Sequence, residues 1–189
     1  MSMESKAVQK TIIDTFLQLL EEVPLRKITV NLLAERCGIN RNTFYYHYRS
    51  IPDLLEQIIT EETDRVIGAH PGVSTLEECF SCIYEYASSN RKVLLKVFRS
   101  ARRDILEIHL WRICSHAVSS WFETALKGRT LKKEDEELIL GYYQNLLFGT
   151  LMRWLADGMD SGIMEQTRRL CQLKKGMLEE LLERSHIEE

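Results

Sequence analysis

The chain has 189 residues, 44% of them hydrophobic and 28% charged, with a formal net charge of −3. That composition suits one or two globular domains and excludes wholesale disorder, no apolar run approaches the roughly 20 residues that span a bilayer, and a net acidic chain has no global attraction to nucleic acid. Nine Gly and three Pro are too few for a turn-rich architecture, so the fold expected is all-α.

The N-terminus is polar (Ser2, Glu4, Lys6) and lacks the apolar stretch of a signal peptide. A first helix runs from about Glu4 to Glu22, with Val8, Ile12, Phe16, Leu19 and Leu20 at helical spacing and Pro24 closing it. The segment KITVNLLAERCGINRNTFYYHY then reads as two short helices, a helix-turn-helix over about 29–48. Leu32, Leu33 and Ala34 belong to the earlier helix, Gly38 stops it, Ile39 plugs the junction, and Asn40 caps the later one. Ser50 and Asp53 stand at capping-box spacing with Pro52 in the first turn, opening a helix that carries Leu54, Leu55, Ile58 and Ile59. Residues 68–74, GAHPGVS, hold two of the nine glycines and one of the three prolines, and mark the boundary between domains 1–68 and 69–189. Beyond it, helices are expected near 75–88, 91–103, 104–127, 134–157 and 163–184, with breaks at Asn90, at Gly128-Arg129 and at DGMDSG.

Charge and rings concentrate in the helix-turn-helix. Between Pro24 and Ser50 the basic residues are Arg26, Lys27, Arg36, Arg41 and Arg49, against the single acid Glu35. Such a patch is an electrostatic footprint even on an acidic chain. Phe44, Tyr45, Tyr46, His47 and Tyr48 form an unbroken row of rings. On a helix, Phe44 and Tyr48 share one side and face inward. Asn42, Thr43, Tyr46 and His47 face away, flanked by Arg41 and Tyr45. The outward set suits a DNA groove, because amides and hydroxyls bond base edges, tyrosine rings meet thymine methyls, and phenol or imidazole groups hold phosphates. An aromatic-rich helix that simply joins a core is the competing interpretation.

The stretch ITVNLLAERCGINRNTFYYHYRSIPDLL, residues 28–55, resembles the DNA-binding domain of the TetR family of bacterial transcriptional regulators. The resemblance rests on Thr29, Ala34, Gly38-Ile39, Thr43-Phe44-Tyr45 and Leu54-Leu55, and with the preceding helix covers residues 4 to about 68. It implies contacts to bases and phosphates from Arg41, Asn42, Thr43, Tyr45, Tyr46 and His47, and phosphate contacts near Thr29 and Asn31. One departure stands out: where the family commonly directs a lysine at a phosphate, this chain has Ile51, leaving Arg49 as the substitute. The resemblance further implies a homodimer on a double-stranded palindromic operator, a small-molecule effector bound in the C-terminal half, and repression relieved by that effector.

The larger half agrees on its own grounds. The helix near 134–157 is acidic at its start, favourable beside a positive helix end, and then apolar nearly all round from Leu138 to Leu155. A helix apolar on every side is covered on every side. Leu147, Gly149, Leu151 and Trp154 on it, with Leu170, Leu178 and Leu181 on the last helix, form the expected dimer interface. An effector pocket is expected among His109, Trp111, His116, Trp121, Phe122, Tyr142 and Tyr143, since small-molecule sites are apolar with a few polar groups. Lys92, Lys96, Arg99 and Arg103 line up on one face of the predicted 91–103 helix, either as a solvated face or toward an anionic partner.

Rival chemistries have little to stand on. The five cysteines (Cys37, Cys79, Cys82, Cys114, Cys171) are odd in number and scattered, which fits a reducing cytoplasm. Cys79 and Cys82 form a C-x-x-C without a second pair or a histidine at ligand spacing, so structural thiols are expected over a metal site or a redox sensor. His109, Cys114 and His116 hint at a nucleophilic pair and no more. A Gly-rich phosphate loop, G-x-S-x-G and H-E-x-x-H are all missing, so neither an enzyme nor a cofactor is expected. A helical interaction protein with a decayed DNA-binding half is the remaining alternative.

Overall fold

The computed structural model describes residues 3–69, 75–160 and 162–185. All regular elements of those residues are helical. In α1 (Met3–Glu22), Ile12, Phe16, Leu19 and Leu20 form one buried stripe. Pro24, extended and without an N–H, ends it. A 3-10 turn (Leu25–Lys27) leads into α2 (Val30–Cys37), α3 (Arg41–His47) and α4 (Ile51–Ala69). The larger half holds α5 (Leu76–Ser89), α6 (Arg91–Phe98), α7 (Arg103–Leu126), α8 (Lys133–Ala156), α9 (Ile163–Leu173) and α10 (Met177–Ser185).

Two expected helices are shorter than their apolar spacing suggests. The one near 91–103 stops at Phe98, because Ser100 turns the chain: its Oγ donates to the Val97 carbonyl at 2.7 Å and accepts the Arg102 N–H at 3.1 Å. A serine hydroxyl there competes with the helical ladder. The four-cation stripe is therefore not a stripe. Lys92 pairs with Glu21 at 3.4 Å, and the Lys96 ammonium donates to the Glu21 carbonyl at the C-terminal end of α1, where a cation is favoured. Arg103 opens α7, lies 4.1 Å over the Phe98 ring and pairs with Glu107 at 2.6 Å. The expected 163–184 helix breaks at Lys174–Gly176, where Gly176 takes φ +87°.

Contacts divide the chain into two compact units. One holds residues up to Asp64 together with Asn90–His109; the other holds Arg65–Ser89 and the chain from Leu110 onward. The division thus differs from a single cut at 68–74, of which 70–74 lie outside the described residues. Its cause is α6, which packs on α1 and is tied to it by Lys92 and Lys96. In the first unit the core gathers Phe16, Leu20, Leu33, Phe44, Leu54 and Leu55. In the second, α8 buries Ile139, Tyr143, Leu147, Leu151, Trp154 and Leu155 along one stripe, with the Trp154 ring 5.0 Å from Tyr84 and the Tyr143 ring 4.9 Å from Trp121. Its other face leaves Leu138 72% and Tyr142 44% exposed.

Candidate nucleic-acid interface

Each junction of the helix-turn-helix is fixed by a local hydrogen bond. Thr29 caps α2, its hydroxyl accepting the Leu32 N–H at 3.2 Å. Gly38 ends α2 at φ +67°, and the N–H groups of Gly38 and Ile39 bond the Glu35 and Ala34 carbonyls at 3.1 and 3.0 Å. This double bond to the last turn is a Schellman motif, whose left-handed residue is best supplied by glycine. Asn40 then caps α3: its Oδ1 accepts the Thr43 N–H at 2.8 Å and the Thr43 hydroxyl at 3.2 Å. The following helix is capped as its spacing predicts, with the Asp53 N–H on Ser50 Oγ at 3.2 Å.

These caps set the facing of α3. Phe44 is fully buried, and Tyr48, just past the helix at its C-cap, is buried beside it with ring centroids 5.8 Å apart. Burial pushes the Tyr48 phenol above its ordinary value, so it stays neutral. On the other side Arg41, Asn42, Tyr45 and Tyr46 are exposed, Tyr46 at 78%, while Thr43 and His47 are half-buried. The His47 ring meets Tyr46 edge-on at 5.1 Å. Thr29 and Asn31 are exposed at the start of α2. One short helix therefore offers solvent a guanidinium, an amide, a hydroxyl, two phenols and an imidazole, held by a buried ring.

The electrostatics of the patch differ from a count of its cations. Arg36 is paired with Glu22 at 3.1 Å. Arg49 is 90% exposed, yet its guanidinium lies 2.7 Å from Asp53 Oδ1 and its N–H 2.9 Å from Oδ2. Hydrogen bonds from Arg49 hold the Asp53 carboxyl below its usual range, and the same contact raises Arg49. Arg26, Lys27 and Arg41 are exposed and carry no ion pair among the described residues. Lys27, two residues before Thr29, is a cation that motif matching passes over; its signal is simply a basic residue in the turn leading into α2. Ile51 is buried, so the position that the resemblance gives to a phosphate-directed lysine turns inward here.

The other expected sites disperse. His109 belongs to the first unit, where its Nδ1 lies 3.3 Å from the Thr63 hydroxyl and its Nε2 3.5 Å from that of Thr60. Trp121, Phe122 and Tyr143 are buried in the second unit's core, and Tyr142 reaches the surface, its hydroxyl accepting from Lys174 at 3.0 Å. Trp111 packs edge-on against Phe148 at 5.3 Å. His116 borders a cavity of only about 30 Å³, beside Cys79 and Cys82. His109 thus falls in the first unit and the other six in the second, where Trp121, Phe122 and Tyr143 serve the core. Of the expected interface residues, Leu147, Leu151 and Trp154 are buried in the subunit's own core. Gly149 is exposed, and Leu170, Leu178 and Leu181 are half-buried.

The thiols are not poised for chemistry. Cys79 is buried with its Sγ donating to the Ala117 carbonyl at 3.3 Å, and burial pushes Cys79 and Cys114 up to about 12. Burial likewise raises Cys82 and Cys171. A nucleophile or sensor needs the opposite shift. No group of three His, Cys, Asp or Glu among the described residues is placed to hold a metal, and no helix is long and apolar enough to cross a membrane.

Comparison with known proteins converges on this geometry. A model described as bacterial regulatory proteins, tetR family, matches residues 12–58, and one described as transcriptional regulator C-terminal region matches residues 74–176. No curated protein matches. Among solved structures, the dihydroxyacetone kinase operon activator DhaS is 16% identical with a TM-score of 0.71, covering 90% of this chain and 97% of that one. Salmonella enterica GusR is 15% identical with a TM-score of 0.61, covering 87% and 93%. The fatty acid degradation regulator FadR from Bacillus halodurans is 15% identical with a TM-score of 0.57, covering 93% and 94%. At such identities these likenesses speak to the fold.

Proposed function

We propose a mode of action from one premise: the chain belongs to the tetR family of bacterial regulatory proteins and is a DNA-binding transcriptional regulator. The family is one of regulators and not of enzymes. The proposal is that α3 enters the major groove, with Arg41, Asn42, Thr43, Tyr45, Tyr46 and His47 meeting bases and phosphates. Thr29, Asn31 and Lys27 grip the backbone at the start of α2, and Arg49 does so only by sharing its charge with Asp53. The observation that carries this reading is the two-sidedness of α3, with Phe44 wholly buried while Tyr46 is 78% exposed. A tyrosine that open to water is poor core and good groove surface.

A homodimer completes the reading. The exposed Leu138 and Tyr142 of α8, with Leu173 and Met177 near the α9–α10 break, support a second copy covering that side. Two recognition helices then meet a palindromic operator at half-sites about one helical turn, ~34 Å, or a multiple apart. The polarity proposed is repression, since occupying a promoter excludes polymerase without any further contact. A small-molecule effector releases the operator by binding better to a conformation whose heads no longer fit. The place of action is the cytoplasm, where the DNA lies.

The test is an electrophoretic and anisotropy comparison on DNA flanking the protein's own gene, at two salt concentrations. Wild type should bind one fragment specifically and more weakly at high salt. Tyr46→Ala should lose about tenfold or more in affinity, as one groove contact contributes ~1–3 kcal/mol. Equal affinity of the variant for that fragment would remove Tyr46 from the interface.

A further inference from the structure

A cavity of about 700 Å³ opens within the N-terminal unit. It is bounded by the 3-10 turn before α2, the first residues of α4, the end of α6 and the 99–102 segment. Its wall is apolar where Leu25, Ile28, Ile51 and Leu95 meet. Among the described residues its charged lining residues are Arg26, Lys96, Arg99 and Arg102, with no carboxylate. Protein interiors are close-packed, with few voids larger than a water molecule. This hollow, which opens to solvent, is far larger than such a void and joins an apolar wall to four cations.

The state of the cations says what is missing from it. Lys96 is satisfied by the Glu21 carbonyl. Arg26 and Arg99 are exposed and have no ion pair among the described residues. The Arg102 Nε is buried without a hydrogen-bond acceptor, its nearest carboxylate oxygen, on Asp104, standing at 3.7 Å. That distance is an ion-pair contact outside hydrogen-bond range. Two exposed guanidinium groups without an ion pair among the described residues, and a third whose Nε lacks a hydrogen-bond acceptor, thus stand around apolar volume.

We propose that this cavity binds a small organic anion with an apolar body. The anionic head is held by Arg99, Arg26 and Arg102, and the body lies along Ile28, Ile51 and Leu95. The volume falls in the roughly 300–1,000 Å³ range of small-molecule sites. An inorganic anion would leave the apolar wall wet, and a neutral apolar molecule would leave the guanidinium groups without acceptors. Planar guanidinium forks suit a carboxylate or phosphate head. Ile51 and Pro52 open α4 directly after the recognition segment, so the occupant touches the base of the DNA-reading element. By linkage, a ligand there changes DNA affinity by the same factor by which DNA changes ligand affinity. This last step rests on the DNA-binding reading; the binding itself does not.

Isothermal titration calorimetry of the full chain with octanoate tests it, with octanol as the uncharged control. Octanoate should bind saturably at one site per chain, and octanol about tenfold or more weakly. Arg99→Ala should lower octanoate affinity about tenfold, the usual worth of one charge-assisted hydrogen bond, and Arg26→Ala/Arg99→Ala further still. Both side chains are exposed, so an unchanged thermal melt shows that the variants fold. Absence of saturable octanoate heat, equal affinity for octanol, or full affinity in the folded double variant would each overturn the proposal. Loss of operator binding in a separate assay would leave these heats unchanged and would count against the DNA reading alone.

Discussion

Replacing Gly38 with alanine isolates the turn that aims the recognition helix. Gly38 sits at φ +67°, and a Cβ built there meets nothing within 4 Å. The substitution therefore adds no clash, and its effect is conformational only. Holding an L side chain in the left-handed region costs about 1–2 kcal/mol. The stiffer unfolded chain offsets about 0.4–1 kcal/mol of that. The net loss expected is about 1 kcal/mol, with Gly38→Asn losing less because asparagine tolerates this region. Urea unfolding followed by far-UV circular dichroism should show a lowered midpoint with an unchanged slope. Operator affinity should fall beyond the stability loss if the strain relaxes by letting Ile39 and Gly38 slip from the Ala34 and Glu35 carbonyls. A Gly38→Ala protein as stable as wild type, or one losing no more than the asparagine variant, would refute the left-handed turn on which the facing of α3 depends.

Three further outcomes are expected. Gly149→Ala, in open space on α8 of the subunit, should gain about 0.5–1 kcal/mol of helix stability yet weaken the dimer, read by analytical ultracentrifugation; a dimer unaffected by the methyl group places the partner helix elsewhere. Asp53 has a depressed folded-state value because of Arg49, so its stabilisation is present above the ordinary aspartate range and lost as pH falls through the folded value. Thermal melts from about pH 6 down to about pH 3 should show a shallower acid decline for Asp53→Asn than for wild type. Native protein at about pH 8 should leave Cys79 and Cys114 unmodified by iodoacetamide, because thiols held near 12 supply almost no thiolate; mass spectrometry reads this, and rapid labelling of either would contradict their burial.

What was legible in the sequence is what local chemistry decides. Gly38, Asn40 and the Ser50–Asp53 pair carry their structural roles in their own chemistry, so these caps and the turn were readable before any tertiary contact was known. The inward pair Phe44 and Tyr48 followed from spacing alone, although Tyr48 falls one residue past the helix. The misreadings share a cause. Periodicity runs straight through Ser100 and Gly176, so it did not register a hydroxyl that turns the chain or a glycine at φ +87°. Apolar residues on α8 do not declare which neighbour covers them, and Leu147, Leu151 and Trp154 proved to face their own subunit. The wide cavity was invisible because it joins residues from three separated stretches, and its Ile51 looked like a lost contact rather than a wall.

The clasp between Arg49 and Asp53 has a consequence for how the protein feels ionic strength. DNA binding gains entropy when each cation displaces a condensed counterion, and the logarithm of affinity falls with the logarithm of salt at about 0.9 per phosphate neutralised. An arginine that already carries a carboxylate 2.7 Å away brings its own counterion to the complex and displaces little from the duplex. Arg36, held by Glu22, does the same. Of the five basic side chains between Pro24 and Ser50, Arg26, Lys27 and Arg41 carry no ion pair among the described residues, and of these Arg26 lines the cavity. In the proposed complex the salt exponent of each half-site should therefore fall below the value that a count of five cations would give, with hydrogen bonding by amide, hydroxyl and phenol supplying a larger share of the grip as the medium grows saltier.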